Sequence, residues 1–128
     1  MIAAKSLLRI RSQERREIES WIDLAILGKQ KGFDFDLQSG KMLGLLFSSA
    51  STRTRVSFQV AARQLGMHAE HLDMDELQMH NGESIKDTAS VLGEYLDALI
   101  VRSYDMSKFS KAHISLDEIS YYAKIPVI

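Results

Sequence analysis

The part of the sequence that most constrains the fold is residues 42–66, where an apolar run, a polar turn and a helical pattern follow one another. The run from Met42 to Phe47 is apolar and is preceded by Gly40, which predicts a buried strand. Residues 56–65 predict a helix, because apolar side chains recur at spacings of three and four and therefore share one face. That face consists of Phe58, Ala61, Ala62 and Leu65. Gly66 then supplies the C-terminal stop of the helix.

Between the predicted strand and helix lies a turn rich in hydroxyl and arginine side chains. In an open α/β sheet, ligands bind beyond the carboxyl end of a strand. The first turn of the following helix has free N–H groups and the positive end of the helix dipole, so it suits an anion. Ser51 is the predicted N-cap, and its hydroxyl can donate to phosphate together with those of Thr52 and Thr54. The planar Arg53 side chain matches phosphate bidentately. Because the sequence has neither G-x-x-x-x-G-K-[ST] nor G-x-G-x-x-G, a small phosphorylated ligand is favoured over ATP or NAD.

The string Phe-Ser-Ser-Ala-Ser-Thr-Arg-Thr-Arg at residues 47–55 closely resembles the carbamoyl-phosphate signature of the aspartate and ornithine carbamoyltransferases. The family pattern is F-x-[EK]-x-S-[GT]-R-T, and this chain departs from it at Ser49, where Glu or Lys is usual. The phosphate-facing positions of the pattern are intact. The alternative interpretation is an arginine-rich helix start held by surface salt bridges. For Arg55, a structural ion pair stays as open as a ligand contact.

Composition describes an ordinary soluble domain. The 128 residues are enough for one domain with a modest core, and 45% hydrophobic with 26% charged residues is typical of globular proteins. A net charge of −1 favours neither nucleic acid nor an anionic membrane as partner. No apolar run approaches a membrane span, and the apolar N-terminus is too short for a signal peptide. The absence of cysteine excludes disulfides and thiolate catalysis and is compatible with the cytoplasm, where we expect the protein.

The remaining elements are predicted from local patterns. A first helix is expected over residues 12–28, capped by Ser12, followed by a loop to residue 41. Further strands are expected at residues 68–72, 98–101 and 126–128, and helices after Ser84 and after the capping box Ser115–Glu118. His68 and His71 would lie on opposite faces of their strand, which argues against a shared metal. The sequence therefore predicts an α/β fold. We expect a single domain, a doubly wound three-layer sandwich around a short, mainly parallel sheet of about four strands.

Arg102 follows the third predicted strand directly. Arginine is rare inside a core, and the carboxyl end of a parallel strand is the ligand side of such a sheet. The resemblance implies a role as well, because the family has an arginine here that binds the carbonyl and phosphate oxygens. The alternative is a surface arginine at a strand terminus.

Residues 73–81 form a predicted loop that is longer than a usual strand-to-helix connection, which hints at function. Gln78, followed by Gly82-Glu83-Ser84-Ile85-Lys86-Asp87-Thr88-Ala89, resembles the ornithine branch more than the aspartate branch. In the family this loop reaches a neighbouring active site within a trimer, so the resemblance implies that Gln78 binds carbamoyl phosphate in trans. Some relatives have Lys at the position of Gly82 and others have Gly. His80 is expected to lie at the rim of the site, without a ligand contact.

The resemblance covers nearly all of the chain but only the first of two family domains. We therefore expect these residues to lack the second, amino-acid-binding domain. The resemblance implies transfer of a carbamoyl group from carbamoyl phosphate to an amine. The resemblance to the ornithine branch favours ornithine as that amine, which would give citrulline in arginine biosynthesis. Arg53, Thr54 and Arg102 would be catalytic, and Ser51, Thr52 and Gln78 would complete the carbamoyl-phosphate site. No cofactor and no metal is expected. Three alternatives stay open: an aspartate carbamoyltransferase, a non-catalytic phosphate-binding module, and a structural α/β domain. The role of residues 104–114 also stays open.

Overall fold

The computed structural model describes residues 6–33, 38–47, 51–73, 82–102 and 116–128. The strands are β1 (Met42–Phe47), β2 (His68–Asp73) and β3 (Ala98–Arg102). The helices are α1 (Arg15–Lys31), α2 (Thr52–Gln64), α3 (Ile85–Tyr95) and α4 (Leu116–Ala123), and a short 3₁₀ turn, Ile10–Ser12, precedes α1. Strands and helices alternate from β1 to α4, which is the pattern expected for a parallel sheet with helical crossovers.

The three strands form a parallel sheet in the order β2-β1-β3. The central strand β1 has the predicted bounds and is buried from its second residue to its last, which its apolar sequence explains. The expected fourth strand is present as a single parallel bridge between Leu99 and Val127. Leu99 N donates to Pro126 O at 2.9 Å, and Val101 N donates to Ile128 O at 2.8 Å. The predicted position of the fourth strand is thereby confirmed, although its ladder is short in the described part of the chain.

Two buried clusters on opposite faces of the sheet confirm the three-layer α/β architecture. One cluster joins Leu43, Leu45 and Phe47 of β1 to Ala62 of α2. The other cluster joins β1 and β3 to α3 and α4, and its buried members are Leu46, Ile85, Ala89, Leu99, Ile119, Ala123 and Val127. Successive side chains of β1 thus pack on opposite faces of the sheet, because side chains alternate along a pleated strand.

Helix α2 begins four residues earlier than predicted, at Thr52, because the Thr-Arg-Thr-Arg string forms its first turn. Its C-terminal stop is confirmed. Gly66 has a φ of 79°, its N–H donates to Arg63 O at 3.1 Å, and Met67 N donates to Ala62 O at 2.9 Å. This pair of bonds is a Schellman motif, and the positive φ explains why glycine stands there. On the predicted apolar face Ala62 is buried and Phe58 half-buried, but Ala61 is exposed.

Helix α1 differs from its prediction at both ends. Ser12 does not cap it; its hydroxyl lies in the 3₁₀ turn and donates to Arg9 O at 2.8 Å. Instead Glu14 is the N-cap, and its N–H donates to Glu17 Oε2 at 3.3 Å, half of a reciprocal capping box. The helix continues through Gly28 and ends at Gly32, where φ is 86°. The predicted loop therefore begins later than residue 29.

The starts of the last two helices can be compared with their predicted caps. For α3 the prediction is confirmed, since the Ser84 hydroxyl accepts a bond from Asp87 N at 3.1 Å. For α4 the predicted cap, Ser115, lies outside the described residues. Among the described residues, no helix is long and apolar enough to cross a membrane.

Candidate functional site

The site predicted from sequence lies at the carboxyl edge of the sheet. The last residue of the central strand, Phe47, is in register with Asp73 of β2 and with Arg102 of β3. Helix α2 starts five residues after Phe47, with Ser51 as its N-cap. The positive end of the α2 dipole therefore adjoins the ends of the strands, which is where such folds bind anions.

Ser51 occupies the predicted N-cap position, but its hydroxyl makes no capping bond to α2. Its carbonyl oxygen accepts the first helical bond from Arg55 N at 3.0 Å. Its hydroxyl oxygen accepts a hydrogen bond from Nη1 of Arg102. The N-cap side chain thus links α2 to β3, although the two residues are 51 positions apart in the chain.

Thr54 makes the matching contact, because its hydroxyl oxygen also accepts a hydrogen bond from Arg102 Nη1. The guanidinium can reach both hydroxyls because alternation along β3 places Arg102 on the α2 face, together with Ala98 and Ile100. Arg102 is half-buried in this position. The structure therefore brings together three of the residues predicted from sequence, and a remote surface position for Arg102 is excluded.

The other predicted residues of the turn, Thr52 and Arg53, lie exposed on the first turn of α2, as does Arg55. Within the described ranges, the guanidinium groups of Arg53 and Arg55 have no hydrogen bond and no ion pair. The surface salt bridges of the alternative interpretation are therefore not found there. Both guanidinium groups are accessible to a ligand at the N-terminus of α2.

Two neighbours of the site were not among the residues singled out from sequence. Phe47 is 1% exposed and packs edge-to-face against His71, with ring centroids 5.7 Å apart, so the last residue of β1 is held by tight packing. Asp73 was assigned to the loop but is the last residue of β2, half-buried on the same face as His71. The alternation of Ala69, His71 and Asp73 is the sequence signal that could have extended the strand to it.

Three predicted features lie outside the described residues. They are the start of the turn at residues 48–50, Gln78, and His80. Their roles stay predictions.

The described geometry can bind an anion and polarise a carbonyl group. A helix N-terminus, three hydroxyls and two arginines, Arg53 and Arg102, surround one edge of the sheet. Such preorganised donors stabilise negative charge that develops on oxygen. The fold defines an α/β domain of the doubly wound class, and the donors at its sheet edge are of the kind that suits an anion.

Comparison with known proteins identifies the family. Residues 5–128 match the family described as aspartate/ornithine carbamoyltransferase, carbamoyl-P binding domain. The chain belongs to this family.

Relatives with established names agree with this assignment. The ornithine carbamoyltransferase of Anoxybacillus flavithermus is 42% identical over 130 residues, covering 99% of this chain and 39% of the relative. The anabolic ornithine carbamoyltransferase of Campylobacter jejuni has a TM-score of 0.82 at 34% identity, covering 98% of this chain and 38% of its own. The ornithine carbamoyltransferase of Pyrococcus furiosus has a TM-score of 0.79 at 38% identity. The match covers 98% of this chain and 39% of the Pyrococcus furiosus chain. The chain thus spans about two fifths of the length of these relatives.

Proposed function

We propose that this chain binds carbamoyl phosphate and forms the carbamoyl-phosphate half of an ornithine carbamoyltransferase. The observation that carries the proposal is the junction of Arg102 with Ser51 and Thr54 at the N-terminus of α2. This junction brings the end of β3 to the start of α2, two parts of the site that are far apart in the sequence. The chain also belongs to the carbamoyl-phosphate-binding family.

The two ends of carbamoyl phosphate would be held by different groups. The phosphate would accept hydrogen bonds from Ser51, Thr52, Arg53 and the free N–H groups of the first turn of α2. The carbonyl oxygen would accept from Thr54 and Arg102. Both sets of donors converge at the carboxyl end of β1, the strand that ends with the buried Phe47.

The reaction follows from this placement. The amine nitrogen attacks the carbonyl carbon, and negative charge builds on the carbonyl oxygen, where Thr54 and Arg102 would stabilise it. The bond between that carbon and the phosphate oxygen then breaks, phosphate leaves with the electron pair, and the nitrogen loses a proton. Arg53 would stabilise the leaving phosphate. Such a reaction depends largely on holding two substrates in line.

Ornithine is the proposed acceptor, giving citrulline and phosphate, a step of arginine biosynthesis in the cytoplasm. Support comes from the relatives: the Anoxybacillus flavithermus protein, 42% identical to this chain, is named ornithine carbamoyltransferase. The acceptor would be bound by a second domain, because the chain matches the carbamoyl-phosphate domain and 39% of that relative. We expect no citrulline formation by residues 1–128 alone. Measurable turnover by the purified 128-residue chain would refute the assignment of the two substrates to two separate domains.

Assembly is part of the proposal. We propose a trimer in which Gln78 of one subunit binds carbamoyl phosphate in the next. The support is the length of the loop after β2 and its resemblance to the ornithine branch. A mixture of full-length Gln78→Ala and Arg53→Ala subunits tests it, because mixed trimers would contain sites with both residues intact. Recovery of activity on mixing supports the proposal, and no recovery contradicts it.

Binding by the chain itself is tested by calorimetric titration with carbamoyl phosphate and with inorganic phosphate. Ligand binding to the native state also raises the unfolding temperature. We expect both effects in the wild type and their loss in Arg53→Ala. Arg16→Ala is the matched control, since Arg16 is an exposed arginine on α1. A chain that binds neither ligand would refute the proposal and leave a structural domain.

The acceptor is tested with full-length protein against ornithine, aspartate, putrescine and acetylornithine. Turnover with ornithine alone supports the proposal. Turnover with aspartate would reassign the protein within the same family. Binding of carbamoyl phosphate without any turnover would identify a non-catalytic module.

A further inference from the structure

The N-cap of α2 is unusual in what its side chain does. An N-cap serine normally accepts a bond from an N–H of its own helix. Ser51 instead accepts a bond from Arg102, and Thr54 of the same turn accepts another from the same nitrogen. Since Nη1 carries two hydrogens, one hydrogen serves each hydroxyl.

The direction of these bonds determines the direction of the hydroxyl hydrogens. A guanidinium has donors and no acceptor, whereas a hydroxyl has one donor and two acceptor positions. Both hydroxyl oxygens are therefore acceptors toward Arg102, and both O–H hydrogens must point elsewhere. In the part of the chain that the structure describes, neither the Ser51 nor the Thr54 hydroxyl donates to a protein acceptor.

We infer that Arg102 is a positioning residue: it orients the hydroxyls of Ser51 and Thr54 so that both donate to the bound ligand. In carbamoyl phosphate, Ser51 would donate to the phosphate and Thr54 to the carbonyl oxygen, whereas both would donate to inorganic phosphate. This rests on the proposed function and is additional to the contact of Arg102 with a carbonyl oxygen. A hydroxyl that accepts a bond from a cation is also a stronger donor, because linked hydrogen bonds polarise one another. The planar fork suits this task, since an ammonium group is a compact point charge without fixed donor directions.

The test is a double-mutant cycle with inorganic phosphate, which has no carbonyl oxygen for Arg102 to contact. Affinity is measured by NMR titration for wild type, Arg102→Gln, Thr54→Val and the double variant, with Ser51→Ala in a parallel cycle. We expect Arg102→Gln to weaken phosphate binding about tenfold, as for a lost hydrogen bond to a charged group. In the Thr54→Val and Ser51→Ala backgrounds we expect clearly smaller losses, because Arg102 then acts through one hydroxyl instead of two. The same tenfold loss in every background would overturn the inference, since independent contacts add.

Three further variants separate positioning from charge and from structure. Arg55→Gln removes an exposed positive charge from the same turn, and its effect should add to that of Thr54→Val. Arg102→Lys keeps the charge, and we expect it to lose phosphate affinity as Arg102→Gln does. Wild-type affinity in Arg102→Lys would overturn the inference. Thr54→Ser, which retains the hydroxyl, should bind phosphate within about twofold of wild type; a loss as large as that of Thr54→Val would also count against it.

A structural role would have a different signature. If Arg102 only held α2 in place, hydrogen exchange of the first hydrogen-bonded amides of α2, beginning with Arg55, would accelerate in Arg102→Gln without ligand. We expect exchange at these amides to stay as in the wild type, and faster exchange would overturn the inference. If the wild type bound no phosphate, the proposed function itself would fail, and this inference with it. Binding with additive effects would refute the inference alone.

Discussion

The carboxyl edge of the sheet and helix α1 are both rich in apolar residues, but these residues are buried at the sheet edge and exposed on α1. At the edge, Phe47 is 1% exposed and packs in one of the two buried clusters. On α1, Trp21 is 40% and Ile22 54% exposed, and the helix has no buried residue. An apolar run correctly predicts strand β1, and apolar periodicity correctly predicts helix α1, but neither pattern says which of the apolar side chains the fold will bury.

This difference in burial indicates where a substitution should disturb neighbouring elements of the fold. Residues at the sheet edge belong to a packed layer and a network of donors, so a change there affects neighbours on three elements. Residues of α1 contact little of the described domain, so a change there should remain local. The predictions below test this contrast.

The largest effect is expected at Arg102. In the proposed full-length carbamoyltransferase, Arg102→Ala should lower kcat/KM for carbamoylation by a factor of about 100 to 1000, as when a donor to a developing oxyanion is removed. The thermal unfolding temperature should change little. Initial-rate kinetics and a melting curve on the same preparation check both points. Normal kinetics would show that the junction with Ser51 and Thr54 has no part in the reaction.

Phe47→Ala should have the largest effect on stability. Removing a fully buried aromatic side chain costs roughly 3–5 kcal/mol, because a cavity remains where the ring was. The loss should be measurable by urea denaturation. A cost below about 1 kcal/mol would mean that the edge is no better packed than α1.

Trp21→Ala is the matched change of an aromatic residue on α1. Because the ring is 40% exposed, and no residue of α1 is buried, we expect a cost well below that of Phe47→Ala, roughly 1 kcal/mol or less. The same denaturation experiment applies to the 128-residue chain. A cost equal to that of Phe47→Ala would remove the contrast between the two regions.

The smallest effect is expected at Arg9, which pairs with Asp117 of α4 on the protein surface. The hydrogen bond and charge of Asp117 raise the pKa of Arg9. The stabilisation is therefore fully present at neutral pH and would be lost only as the pH rises through that raised value, far above neutrality. Arg9→Gln should lower the melting temperature slightly, by the same amount at pH 6 and pH 9. A difference that grows between these values would show that another group titrates with the pair.

Much of the fold was predictable because its signals are local. The bounds of β1 follow from one apolar run, the end of α2 from Gly66, and the start of α3 from Ser84 and Asp87. The errors arose where two local signals competed. Ser12 looked like a cap, but the pairing of Glu14 with Glu17 starts α1 later.

The sequence by itself determined which groups the turn offers, since the hydroxyls of Ser51 and Thr54 and the guanidinium of Arg53 predict a phosphate site at a helix N-terminus. It also determined that Arg102 ends a strand. Only the tertiary structure decided that one nitrogen of Arg102 meets both hydroxyls, across separations of 51 and 48 residues. The physical reason is that this contact depends on the parallel pairing of β1 with β3 and on which face of β3 Arg102 occupies. Both depend on residues that are far apart in the chain, because helices pack on the two faces of the sheet, and neither leaves a periodic signal in the sequence.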